Sequence, residues 1–114
     1  MATTPLTPII SGGDLTTSWQ NLYEVPAGKK GAGIDAVVFN NYSASKASYS
    51  VRLIQSGTAS ELNEVITDKS IRAKSNDLAP AIIGQALGLG GIIQAKASAN
   101  NAINANITAT VVDA

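Results

Sequence analysis

From Ile103 to Val111 every second residue is apolar (Ile103, Ala105, Ile107, Ala109, Val111), and the residues between are Asn104, Asn106, Thr108 and Thr110. A helix would scatter these side chains around its axis, whereas a pleated strand sends all five apolar ones to one side. The segment is therefore read as a half-buried strand, and the rest of the chain must supply partners for it. Residues 47 to 55 repeat the pattern, with Ala47, Tyr49, Val51 and Leu53 on one face and Ser48, Ser50 and Arg52 on the other. Residues 15 to 25 alternate too, as Leu15, Thr17, Trp19, Asn21, Tyr23 and Val25 against Thr16, Ser18, Gln20, Leu22 and Glu24. One strand is expected there, bulged near Asn21. Residues 34 to 39 are nearly all apolar, which predicts a strand buried towards its end and paired with 47 to 55 as an antiparallel neighbour. Residues 92 to 97 form a further strand.

Turn chemistry separates these runs. Pro26-Ala27-Gly28 forbids ladder continuation, and Lys29-Lys30-Gly31 keeps the tip of that reversal wet. Turns are also expected at Asn40 to Ser43, Ser56 to Thr58 and Ser98 to Asn101, with a loop over residues 74 to 80. The assignment is weaker through 62 to 66 and 70 to 73. Gly84, Gly88, Gly90 and Gly91 cut the stretch after the short apolar run 81 to 85 too finely for a helix. Roughly seven or eight short strands at such spacing, with no amphipathic helix, give an all-β, single-domain antiparallel β-sandwich, jelly-roll or Greek-key like. A small closed barrel is the alternative.

The chain's 114 residues suit one domain. Only 4% of them are aromatic and 14% charged, so small residues carry the sequence and the sheets must pack closely. Trp19, Tyr23, Phe39 and Tyr49 are the expected anchors of the core, with the Ile, Leu and Val set. A core of this size gives modest stability, and burial against other subunits would add to it.

Histidine and cysteine are both absent. That removes disulfides, cysteine nucleophiles, imidazole-based triads and His/Cys zinc sites. Eight basic and eight acidic residues cancel, so no broad field favours nucleic acid as a partner. A neutral surface also tends towards association. No window approaches a membrane span and the N-terminus lacks the pattern of a signal peptide, so a cytoplasmic site of synthesis with no membrane partner is expected.

Residues 1–13 read as an extended N-terminal arm ahead of a sandwich domain at 14–114. Pro5 and Pro8 favour an extended chain, and Gly12-Gly13 separate it from the first alternating run. Pro5, Leu6, Pro8, Ile9 and Ile10 are the candidate partner-binding residues, in an arm able to dock on a neighbouring subunit.

The remaining motifs yield no catalytic residue, no cofactor and no metal. Gly88-Leu-Gly90-Gly91-Ile-Ile93 contains G-x-G, but Ile93 stands where a dinucleotide fingerprint needs its third glycine, so a tight inter-strand loop is expected. Ala27-Gly28-Lys29-Lys30 lacks both the leading glycine and the Ser/Thr of a phosphate loop, and reads as a turn. Glu61, Glu64 and Asp68 lack EF-hand spacing and read as a charged edge that discourages stray pairing. Lys69, Arg72 and Lys74 read as salt-bridged rim residues. A sugar-stacking role for Trp19, Tyr42 or Tyr49 is the alternative from another functional class.

The stretch Leu15-Thr-Thr-Ser-Trp-Gln-Asn-Leu-Tyr-Glu-Val-Pro-Ala-Gly28, with Leu87-Gly-Leu-Gly-Gly-Ile-Ile-Gln-Ala-Lys-Ala-Ser-Ala-Asn-Asn-Ala-Ile-Asn104, resembles small β-sandwich structural proteins of tailed bacteriophage virions. The two stretches cover about a quarter to a third of the chain. Gly90-Gly91 departs from that pattern, where an acidic turn residue is usual, and so does the Pro-rich arm. The resemblance implies a non-enzymatic capsid decoration or cement protein on the outer capsid surface. Its expected partners are the major capsid protein and copies of itself, a trimer being favoured. A neck, tail, fibre or baseplate component is the alternative within that group.

Overall fold

The computed structural model describes residues 7–25, 28–55, 63–79 and 82–113. Nine strands run through them: β1 (Thr7–Asp14), β2 (Gln20–Glu24), β3 (Lys29–Asn41), β4 (Ala47–Ile54), β5 (Glu64–Ile71), β6 (Ser75–Asp77), β7 (Ala86–Leu87), β8 (Ile92–Ala97) and β9 (Ile103–Asp113). They form two antiparallel sheets. Sheet A has the order β1-β9-β3-β6, with β7 also on β3, and sheet B the order β2-β8-β4-β5. The pairs β1 with β9, β2 with β8, β3 with β6 and β7, and β4 with β5 nest inside one another. The chain thus behaves as one long hairpin rolled up so that alternate pairs fall in opposite sheets, which is the winding of a jelly roll. Among the described residues no helix is long and apolar enough to cross a membrane.

Alanine explains how the sheets come close. Phe39 on β3 lies opposite Ala105 on β9, and Tyr49 on β4 lies opposite Ala97 on β8. The small neighbours leave room for the two rings, which stack across the sandwich with centroids 4.3 Å apart. Val51, Ile93, Ile34, Ile103 and Ile107 complete a dry interior on either side. Tyr23 is only partly buried against this core. Trp19 corrects the expected anchor set, because it lies outside the core cluster, on the outer face of sheet B.

The other corrections concern connections. Residues 34 to 39 and 47 to 55 are strands as expected, but not neighbours: β3 belongs to sheet A and β4 to sheet B. Alternation tells which side of a strand is buried, not which sheet it joins. Asn41 makes the crossing. Its side chain is fully buried and uses all of its hydrogen-bonding capacity, its Nδ2 donating to the Ser45 and Ile71 carbonyls and its Oδ1 accepting from the Ser43 N–H and Oγ.

The single strand expected over 15 to 25 is shorter. Only Gln20–Glu24 pairs, bulged between Asn21 and Tyr23, while residues 15 to 19 cross from one sheet to the other. Local side-chain bonds compete with the ladder here: Thr16 Oγ1 accepts from the Ser18 N–H, and Gln20 Oε1 accepts from the Thr16 N–H while its Nε2 donates to the Asp14 carbonyl. Lys29 and Lys30, expected at a turn tip, instead begin β3.

Gly88 to Gly91 is the tight loop expected. The Gly91 N–H donates to the Gly88 carbonyl at 2.9 Å, and Gly90 at φ +73° occupies the third position, as a type II turn requires. Gln55 clasps it, accepting from the Gly88 N–H and donating to the Ala86 carbonyl.

Candidate functional site

Two broad surfaces are available, the outer faces of the two sheets. On sheet A, the outward positions are Ala36, Val38 and Asn40 of β3 and Asn104, Asn106, Thr108 and Thr110 of β9. The register sets Asn40 beside Asn104, Val38 beside Asn106 and Ala36 beside Thr108. None of these seven is charged, and each is small. At a bulge between Ile34 and Ala36, Asp35 accepts a hydrogen bond from Thr110 Oγ1 at 2.8 Å. Asn104 keeps one buried amide oxygen without a partner among the described residues. The result is a field of amides, hydroxyls and methyls with one carboxylate, Asp35, bonded within it.

β1 borders this field as the edge of sheet A. Of the residues singled out in the arm, Pro8, Ile9 and Ile10 lie in β1, and Pro5 and Leu6 lie outside the described residues. Over residues 7–13 the extended chain is thus a strand bonded to this subunit's own β9. Pro8 is tolerated because an edge strand spares it a donor, and the register slips between Pro8 and Ile10 and again between Ser11 and Gly13. Bulges of this kind twist an edge and limit indiscriminate pairing.

The outer face of sheet B is chemically different. Trp19 leaves the crossover to lie against two cations, the Arg52 guanidinium 4.0 Å and the Lys96 ammonium 4.9 Å from its ring centre. Beside it a polar recess of about 220 Å³ is lined by Thr17, Ser48, Ser50, Asp68, Lys96 and Ser98. The outward parity of Ser48, Ser50 and Arg52 was legible in the sequence. The position of Trp19 was not, because it depends on where the crossover lands.

One side of the sandwich is latched. The Tyr49 hydroxyl crosses from sheet B to donate to the Asp77 carboxylate on β6, and Lys69 of β5 pairs with the same oxygen at 3.1 Å. Burial, then the Asp77 hydrogen bond and charge, push the Tyr49 phenol far above its ordinary value. Burial alone would raise Asp77, but the Tyr49 hydroxyl, the Lys69 ammonium and the Ala79 N–H outweigh it and hold the carboxyl below its ordinary range. Lys74 donates to the Tyr42 carbonyl at 2.7 Å. Glu61 lies outside the described residues, Glu64 accepts from Thr67 and Asp68 from Ser50. Among the described residues no three acidic groups gather as a metal site.

No family model matches this chain. No curated protein matches it either. Among solved structures it is similar to a chain in the structure of infectious bursal disease virus, Gx strain, at 13% identity and a TM-score of 0.47. That likeness covers 97% of this chain, which spans about a third (32%) of the viral one.

Proposed function

We propose that this chain is a non-enzymatic virion structural protein: a decoration protein that binds the major capsid protein on the outer surface of a tailed-phage capsid and braces the shell. The observation that carries the reading is the outer face of sheet A. A surface of Asn, Thr, Ala and Val desolvates cheaply, because its amides both give and accept hydrogen bonds and the carboxylate among them, Asp35, already accepts from Thr110. Such a surface suits close packing against a larger protein shell. The neutral composition and the two sequence stretches that resemble those of small virion structural proteins support the same role. Many copies attached at once, in homo-oligomers with a trimer as the favoured form, would turn modest contacts into firm attachment.

Virions offer a direct test. The chain should be present at a copy number comparable to that of the major capsid protein, and particles lacking it should release their contents at lower temperature. A dozen copies or fewer would move the assignment to the neck, tail or fibre. Unchanged resistance to heat and internal pressure would end the bracing role.

A further inference from the structure

We propose that the recess on the outer face of sheet B is a binding site for a single saccharide unit. This inference does not depend on a virion role. Its first support is the way the recess is built. β5 carries a bulge in which Thr67 and Asp68 both lie opposite Ser50, and Asp68 takes a left-handed backbone conformation, φ +46°. Ser50, itself 2% exposed, holds that conformation by accepting from the Asp68 N–H at 2.9 Å. A bulge re-aims the side chain that it carries, and here the re-aimed group is a carboxylate lining the recess. Ser50 Oγ lies 3.4 Å from Asp68 Oδ1, leaving Oδ2 for an incoming donor.

The second support is the opposite wall. Lys96 lies across the ladder from Ser50 and leans on the Trp19 ring, which fixes its ammonium at the recess. Lys96 and Asp68 line one recess without pairing with each other. A ligand satisfying both must accept at one end and donate at the other, and the hydroxyls of a sugar do both. Thr17, Ser48 and Ser98 add small hydroxyls around the same space. At about 220 Å³ the recess falls below the size of pockets for drug-sized ligands, roughly 300 Å³ upward, and matches one sugar ring. A purely anionic side chain from a protein partner would meet Asp68 and be repelled.

Trp19 is the chain's single tryptophan, so its fluorescence reports on Lys96 and the recess. The full chain should be titrated separately with glucose, galactose, N-acetylglucosamine, glucuronic acid and N-acetylneuraminic acid, each to about 50 mM, enough to saturate a site with a dissociation constant near 1 mM. At least one should give a saturable change. Asp68→Asn should weaken it by about tenfold or more, since a charge-assisted bond is lost, and Thr17→Val should weaken it less, with the melting temperature unchanged. Should Asp68→Asn disturb the bulge, Thr17→Val, placed on the crossover, carries the test alone. No saturable change with any of the five overturns the proposal, as does equal affinity in both variants. A response confined to an oligoglutamate peptide overturns it as well and assigns the cations to an acidic protein partner.

Discussion

The two outer faces of this sandwich are made by the same kind of ladder and lead to different chemistry. On sheet A the outward residues of β3 and β9 are amides, hydroxyls and methyls, with Asp35 at a bulge bonded to Thr110. On sheet B the outward residues of β4 and β8 include Arg52 and Lys96, a crossover lays Trp19 over them, and a bulge on β5 makes a hollow beside them. The side chain that a bulge carries, and where it ends up, governs what a face can recognise. Both ladders are broken by a bulge, but on sheet A the carboxylate it carries, Asp35, is bonded to the neighbouring Thr110, whereas on sheet B Asp68 is left lining a recess.

The largest expected effect erases the distinction altogether. Asn41 ties β3 of sheet A to the end of β5 in sheet B, so Asn41→Ala should cost about 3 kcal/mol by leaving several buried groups unpaired. Chemical denaturation of the variant measures this, and a loss under about 1 kcal/mol would show that the crossing does not depend on that amide. Next comes a change confined to one face. Thr108→Arg should leave stability within about 0.5 kcal/mol yet abolish attachment to capsids in a co-sedimentation assay, whereas Gln94→Arg on sheet B should attach normally. Equal behaviour of the two would refute the assignment of the sheet A face.

The latch between the sheets should appear in the pH dependence of stability. Asp77 is depressed below its ordinary value of 3.8, so its contribution is complete above that pH and is lost as pH falls through the lower folded value. Tyr49 is raised above its ordinary 10.0, so its contribution is complete below pH 10.0 and is lost as pH rises towards the folded value. Tyr49→Phe should flatten the alkaline limb and weaken the acid one, and unaltered limbs would mean that the contact is incidental. The smallest effect belongs to the indole. Lys96→Met should cost less than about 1 kcal/mol, as cation–π contacts at partly exposed sites do, and should shift the Trp19 emission maximum. A greater loss of stability would make that contact a structural support of the sheet B face.

How much of this was legible depends on how local each signal is. β4, β8 and β9 are regular: alternation gives the buried sides of β4 and β9, and residues 92 to 97 read as the strand that β8 is, while β9 runs two residues past the expected end at 111. β5 was weak in the sequence for a physical reason: the bulge at Thr67 and Asp68 breaks the period of two that would have announced it. β6 is three residues long and comes directly after Lys74 at φ +56°, so residues 74 to 80 read as loop. The separation of β3 from β4 was invisible because it lies in Asn41, and a buried asparagine with every bond satisfied looks in sequence like any turn asparagine. The recess was hidden likewise, since Thr17, Ser50, Asp68 and Lys96 come from four separate segments.

The nesting of the strands also constrains the order in which the molecule can be made. Among the described residues β1 pairs with β9 alone, with Pro8 facing Thr108 a hundred residues later, and β9 is also the strand that joins β1 to β3. Sheet A therefore cannot join β1 to β3 until β9 has left the ribosome. Until then β1 waits unpaired and β3 has only the short β6 and β7 to bond to, whereas β4 and β5 can close early as neighbours in the chain. Contacts this distant in sequence place folding in the slow range, about milliseconds to seconds, and newly made chains are most open to misplaced strand exchange during that interval.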